Sequence, residues 1–175
     1  EGIRDVQDGI LPAFSPPSRI RQPGRFAMKE ANEFLLPVAG DAERHNFYAA
    51  ALDDAVKILA RNDLTLLDCS SNAGMPSFYA ARHGIRSVVM PRSDHLGEVL
   101  RQMKEDQGLN DTAEVLVGDP REMFENLLPF GRADIVVVDP PGTPLHGMSP
   151  FAILPSIRKE LIQERKTNIV LLSFS

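Results

Sequence analysis

Two stretches about seventy residues apart carry the side chains best suited to chemistry, Leu66-Leu67-Asp68-Cys69-Ser70-Ser71-Asn72-Ala73-Gly74 and Ile135-Val136-Val137-Val138-Asp139-Pro140-Pro141-Gly142. Each is an apolar run that stops at a carboxylate and continues in small or turn-forming residues. In an open α/β sheet, ligands bind beyond the carboxyl ends of the strands. A loop of small residues such as Cys69 to Gly74 lets main chain approach a ligand, and a helix starting just after it favours a carboxylate or phosphate. Asp139, followed by Pro140, Pro141 and Gly142, ends the second run with a carboxylate able to accept hydrogen bonds from a ligand. The same residues also suit an ordinary strand-to-helix turn and a strand-ending acid. Gly74 is the only glycine of the first loop, so the dinucleotide fingerprint of three spaced glycines is absent.

The elements that must position these acids follow from hydrophobic period. Phe47, Ala50, Ala51, Leu52, Ala55, Val56, Ile58 and Leu59 recur at spacings of three and four and predict one apolar helical stripe from Asp41 to roughly Ala60. Strands are predicted at Leu64 to Asp68, Arg86 to Met90, Glu114 to Val117, Ala133 to Val138 and Asn168 to Phe174. Helices are predicted between them at Ser77 to His83 (capped by Gly84), Asp94 to Gln107, Arg121 to Leu127 and Ile153 to Glu164. Alternation of this kind predicts a Rossmann-like α/β domain, a parallel sheet with helices on both faces. Right-handed crossovers then set the strands ending at Asp68 and Asp139 side by side.

The 175 residues suffice for one domain with a core, and 43% hydrophobic with 25% charged residues is ordinary for a globular protein. The longest apolar runs are far too short to span a bilayer. A net charge of −5 argues against indiscriminate binding to nucleic acid. Cys69 stands alone, so no intrachain disulfide forms, and it reads as a small buried hydrophobe. The chain starts at Glu1, which fits a fragment or a processed form; a removed presequence would leave no trace, and the compartment, cytoplasmic or an organellar matrix, stays open.

Residues 1–36 read as an extended arm and 37–175 as the α/β domain. Pro12, Pro16, Pro17, Pro23 and Pro37 punctuate the arm and bias it to extended conformations. Between Ile10 and Met28 the charged residues are Arg19, Arg21 and Arg25, with no acid. The segment 10–29 is therefore expected to lie on other protein subunits, on RNA, or in the domain's own crevice.

From Asp41 onward the chain resembles the cofactor-binding half of the protein arginine methyltransferases, which have the class I S-adenosylmethionine (SAM)-dependent methyltransferase fold. Asp41, Arg44 and Tyr48 reproduce an Asp-x-x-Arg-x-x-x-Tyr pattern, and Gly74-Met75-Pro76-Ser77-Phe78-Tyr79-Ala80-Ala81-Arg82-His83-Gly84 is similar to that family's stretch after the first strand. A second resemblance, to the tRNA guanine-N2 dimethyltransferases, rests on Leu67 to Gly74 and on Asp139-Pro140-Pro141-Gly142-Thr143-Pro144. These resemblances imply SAM as cofactor, held by Asp68, Ser70, Gly74, Asp94 and Asp119, with Asp139 catalytic and Pro140, Pro141 and Gly142 against substrate; no metal is implied. The departures fall on functional positions. Arg92 stands where a ribose-binding acid belongs, Met148 where the second clamp glutamate belongs, and Ser70 and Asn72 where glycines belong. Asp94 serves equally well as a helix N-cap, and Asp119 as an exposed turn aspartate. The expectation is a methyltransferase-fold protein with degenerate sites, a structural or regulatory subunit. The alternative is an active N-methyltransferase on RNA or protein arginine.

Overall fold

The computed structural model describes residues 40–70, 74–91, 93–118, 129, 131, 133–138 and the main chain of 169–172. The predicted arm at 1–36 and the predicted helices at 121–127 and 153–164 lie outside the described residues.

Helix α1 spans Ala42–Leu59. Asp41 caps it, accepting from the Arg44 amide at 2.9 Å, and Ala60 ends it in the left-handed region, its N–H donating to the Val56 carbonyl. The buried residues His45, Tyr48, Leu52 and Ala55 follow the spacing of one helix face. The stripe predicted from sequence needs correction here. Phe47 is 50% exposed and Ile58 65% exposed, so both turn away from the core. At about 100° per residue, α1 carries two adjoining apolar lines, and period alone does not say which one meets the sheet. The sheet takes the line with the bulkier Tyr48 and Leu52.

Strand β1 (Thr65–Asp68) leads to α2 (Met75–Arg82), then β2 (Arg86–Val89), α3 (Asp94–Asp106), β3 (Ala113–Val115), β4 (Ile135–Val138) and β5 (Ile169–Leu172). Gly84, at φ +78°, follows the C-cap of α2 as predicted. The N-cap of α3 is Ser93, whose side chain accepts from the Leu96 amide at 3.2 Å; Asp94 is the first helical residue instead. Gly97 admits a close approach: a Cβ there would stand 2.5 Å from Val117 Cγ2.

The five strands form one parallel sheet in the order β3-β2-β1-β4-β5. The strands leading to Asp68 and Asp139 are neighbours, with Leu66 beside Ile135 and Asp68 beside Val137. Register places Leu66, Asp68, Ser87, Val89, Ala113, Val115, Ile135 and Val137 on one face. All three described helices cover that face. Tyr48, Leu52 and Ala80 pack with Leu66, Ile135 and Val137, while Phe78, Leu100 and Met103 pack with Val89 and Val115. Full burial of such side chains is worth about 1.5–3 kcal/mol each. On the opposite face Leu67, Val88, Val136 and Val138 are equally inaccessible, so the sheet is buried on both sides, as parallel sheets are.

The amino ends of β1 and β4 are locked by side chains. Asp134 Oδ2 accepts from both the amide and the hydroxyl of Thr65, each at 3.1 Å, and Asp134 Oδ1 pairs with the Arg61 guanidinium.

Candidate functional site

At the carboxyl end of β1 the Asp68 side chain is completely buried. Its Oδ1 accepts from the Ser70 amide at 2.9 Å and its Oδ2 from the Ser77 amide at 3.3 Å. Ser77 lies in the first turn of α2, so one carboxylate ties the loop and the helix N-terminus to the strand end. A helix N-terminus leaves unpaired N–H groups and a partial positive charge, both of which a carboxylate satisfies. Alongside it, the Met90 amide donates to the Asp68 carbonyl and the Cys69 amide to the Val137 carbonyl, each at 2.9 Å. The strand ends therefore keep a fixed spacing just where the loop departs.

Gly74 is the N-cap of α2 at φ +70°, a conformation that glycine adopts without strain. A Cβ there would lie 3.3 Å from Leu100 Cδ2, a contact that a small shift of that side chain relieves, so the positive φ is what calls for glycine. Ser70, 8% exposed, sits between Asp68 and this turn. The structure thus gathers three of the predicted site residues, Asp68, Ser70 and Gly74, around one loop. Asp94 is separate, exposed on the first turn of α3. Asp119, Asp139, Pro140, Pro141 and Gly142 lie outside the described residues, as do Arg92 and Met148. Cys69 is buried, as its sequence context predicts.

Ser77 was not singled out from sequence as a site residue, yet its main chain is central. Its amide serves Asp68, and its carbonyl accepts from the Ser87 hydroxyl at 3.0 Å. The available signal was its place three residues after Gly74, where an exposed helix amide must find an acceptor. The residues of the Asp-x-x-Arg-x-x-x-Tyr pattern have structural partners. Asp41 caps α1 and pairs with Arg44 Nε at 3.3 Å, and Tyr48 is buried in the core. An open hollow of about 190 Å³, lined among others by Arg86, Asp111 and Glu114, lies at the amino ends of β2 and β3, away from the carboxyl end that carries Asp68. No cluster of metal-ligating side chains occurs among the described residues. Nor is any described helix long and apolar enough to cross a membrane.

Comparison with solved structures places this arrangement. A SAM-dependent methyltransferase from Thiobacillus denitrificans in complex with S-adenosyl-L-homocysteine matches with a TM-score of 0.58 at 17% identity, over 87% of this chain and 56% of that one. A putative caffeoyl-CoA O-methyltransferase from Staphylococcus aureus matches at 0.59 and 14% identity, over 83% of this chain and 62% of that one. The Trypanosoma brucei PRMT1 enzyme-prozyme heterotetrameric complex with AdoHcy matches at 0.57 and 20% identity, over 77% and 40%. The chain therefore spans less than two thirds of the length of each of these structures. No protein-family model and no curated protein matches the sequence. The fold is that of the class I SAM-dependent methyltransferases, and the loop held by Asp68 is its first strand-to-helix connection.

Proposed function

We propose that this chain is a methyltransferase-fold protein with degenerate cofactor and substrate sites, acting as a structural or regulatory subunit of a larger protein or ribonucleoprotein assembly. The observation that carries the proposal is the register of β2. Val89 lies beside Asp68, so the chain leaves the strand through Met90, Pro91 and Arg92 with no carboxylate. The next acid along the chain, Asp94, has already entered α3 behind its Ser93 cap. The two ribose hydroxyls of SAM need an acceptor at this strand end, and arginine only donates. Arg92 would also bring a cation toward the sulfonium. Met148, in place of a second clamp carboxylate, would leave a bound guanidinium half paired. That one similar structure is an enzyme-prozyme complex supports a subunit role for this fold.

Isothermal titration of the purified chain with SAM and with S-adenosylhomocysteine tests the proposal. No saturable binding in the low-micromolar range is expected, and Arg92→Glu should raise the affinity. Low-micromolar binding by the native chain would overturn the degenerate reading.

A second reading, an active N-methyltransferase on RNA or protein arginine with Asp139 accepting from the amine, is favoured by the intact grip of Asp68 on its loop and by Gly74 at its cap. Transfer of a labelled methyl group to tRNA or to an arginine-rich peptide would establish it.

A further inference from the structure

The outward line of α1 carries Phe47 and Ile58, eleven residues apart and so within about 20° of each other around the helix and about 16 Å apart along it. Between them the exposed side chains include Ala50 and Asp54, the latter 70% exposed and joined, among the described residues, to the similarly exposed Lys57 at 3.1 Å. Such a surface pair is weak and can be exchanged for a better partner. The face is therefore apolar at both ends, with a small residue and a carboxylate in the middle.

The segment Arg19-Ile20-Arg21-Gln22-Pro23-Gly24-Arg25-Phe26 has the complementary order. In polyproline II, with three residues per turn, Ile20, Pro23 and Phe26 share one side and the arginines flank it, and the six residues from Ile20 to Phe26 span about 19 Å. That length is close to the separation of Phe47 and Ile58. The guanidinium fork matches a carboxylate such as Asp54. The connection is long enough, since the fifteen residues from Phe26 to Asp41 reach up to about 50 Å, against a helix of about 27 Å.

We propose that residues 19–26 of this same chain dock on the outward face of α1, with Phe26 near Phe47 and Ile20 near Ile58, the arrangement needing the shorter path to Asp41. The proposal does not depend on whether the chain binds SAM. Hydroxyl-radical footprinting of the full chain against an Ile20→Glu, Phe26→Glu double variant tests it. The expected result is a severalfold rise in the reactivity of Phe47 and Ile58 in the variant, with buried Tyr48 unchanged. An Asp54→Arg variant should raise the same two signals, and adding Arg21→Asp and Arg25→Asp should lower them again. Unchanged reactivity at Phe47 and Ile58 would overturn the proposal. So would protection that appears only at concentrations where light scattering shows a dimer, or only when RNA is added.

Discussion

Asp68 and Asp134 sit on neighbouring strands at opposite ends of the same sheet, and both are buried to within 2% of complete. Their surroundings differ in kind. Asp134 is matched by two side chains, the Thr65 hydroxyl and the Arg61 guanidinium, together with the Thr65 amide, and these contacts join segments 69 residues apart in sequence. Asp68 is matched by main-chain amides of its own loop and of the helix that follows. The Asp134 cluster ties the amino ends of two strands together through side chains and through the main chain of Thr65 and Asp134. The Asp68 carboxylate instead holds two amides, those of Ser70 and Ser77, against the strand end. The amino end of the sheet thus joins segments far apart in sequence, while the carboxyl end anchors a local turn and the helix after it.

The largest expected effect is at the amino end. Asp134→Ala strips an acceptor from Thr65 and leaves the Arg61 guanidinium, only 26% exposed, with the more distant Asp63 carboxylate at 3.9 Å as its counter-charge. Removing one member of a buried pair costs about 3 kcal/mol or more. Urea unfolding of the variant should show this loss. A cost near zero would break the comparison, because the amino-end cluster would then contribute nothing.

Asp68→Asn comes next. It turns one acceptor into a donor facing an amide that already donates, at a cost of about 2 kcal/mol, as for other hydrogen bonds to charged groups. It should also loosen the loop from Cys69 to Gly74, read as faster hydrogen exchange at the Ser70 and Ser77 amides. An Asp68→Asn cost above that of Asp134→Ala would reverse the assignment of the two ends.

Tyr79 provides a control at neither end. Its hydroxyl donates to Asp53 Oδ1 at 3.1 Å, joining α2 to α1, and its ring tilts against His83. Burial, then the nearby Asp53 charge, then this hydrogen bond push its pKa up from 10.0 to about 12. Since the folded state holds the proton more tightly, the contribution is complete below pH 10 and is lost as pH rises toward about 12. Tyr79→Phe should cost about 1 kcal/mol at neutral pH and flatten the alkaline fall in stability. An unchanged alkaline profile in the variant would assign that fall to other groups.

Much of this arrangement was legible in the sequence. The apolar runs ending at Asp68 and Asp139 gave the two central strands, their alternation with helical periods gave a parallel sheet, and Gly84 marked the end of α2. What escaped has physical reasons. Ser93 and Asp94 are both good caps, and which one serves depends on the single residue that keeps an extended backbone, Ser93 at φ −126° and ψ 148°. Phe47 and Ile58 fit the helical period, yet their side of α1 is decided by the sheet. Asp134 was read simply as part of a strand. Its partners lie about seventy residues back, and no local pattern announces a hydrogen bond across that distance. Asp68 was legible as an acid at a strand end, but its two amide partners became visible only once loop and helix were in place.

The smallest expected effect sharpens the comparison most finely, because it separates main chain from side chain within one residue. Ser77 is wholly buried, and its amide and carbonyl are both used, but its hydroxyl has no hydrogen-bond partner among the described residues. A buried hydroxyl without a partner has given up its water for nothing, at a cost of about 1–3 kcal/mol before its packing contacts are counted. If the carboxyl end works through main chain, Ser77→Ala removes that penalty and leaves the Asp68 contact in place. The variant should match the native chain in urea or exceed it by up to about 1 kcal/mol, with hydrogen exchange at residue 77 as slow as before. A clear loss of stability would instead give the hydroxyl a role of its own at this end of the sheet. The carboxyl end would then also depend on a side-chain hydroxyl, as the amino end does through Thr65.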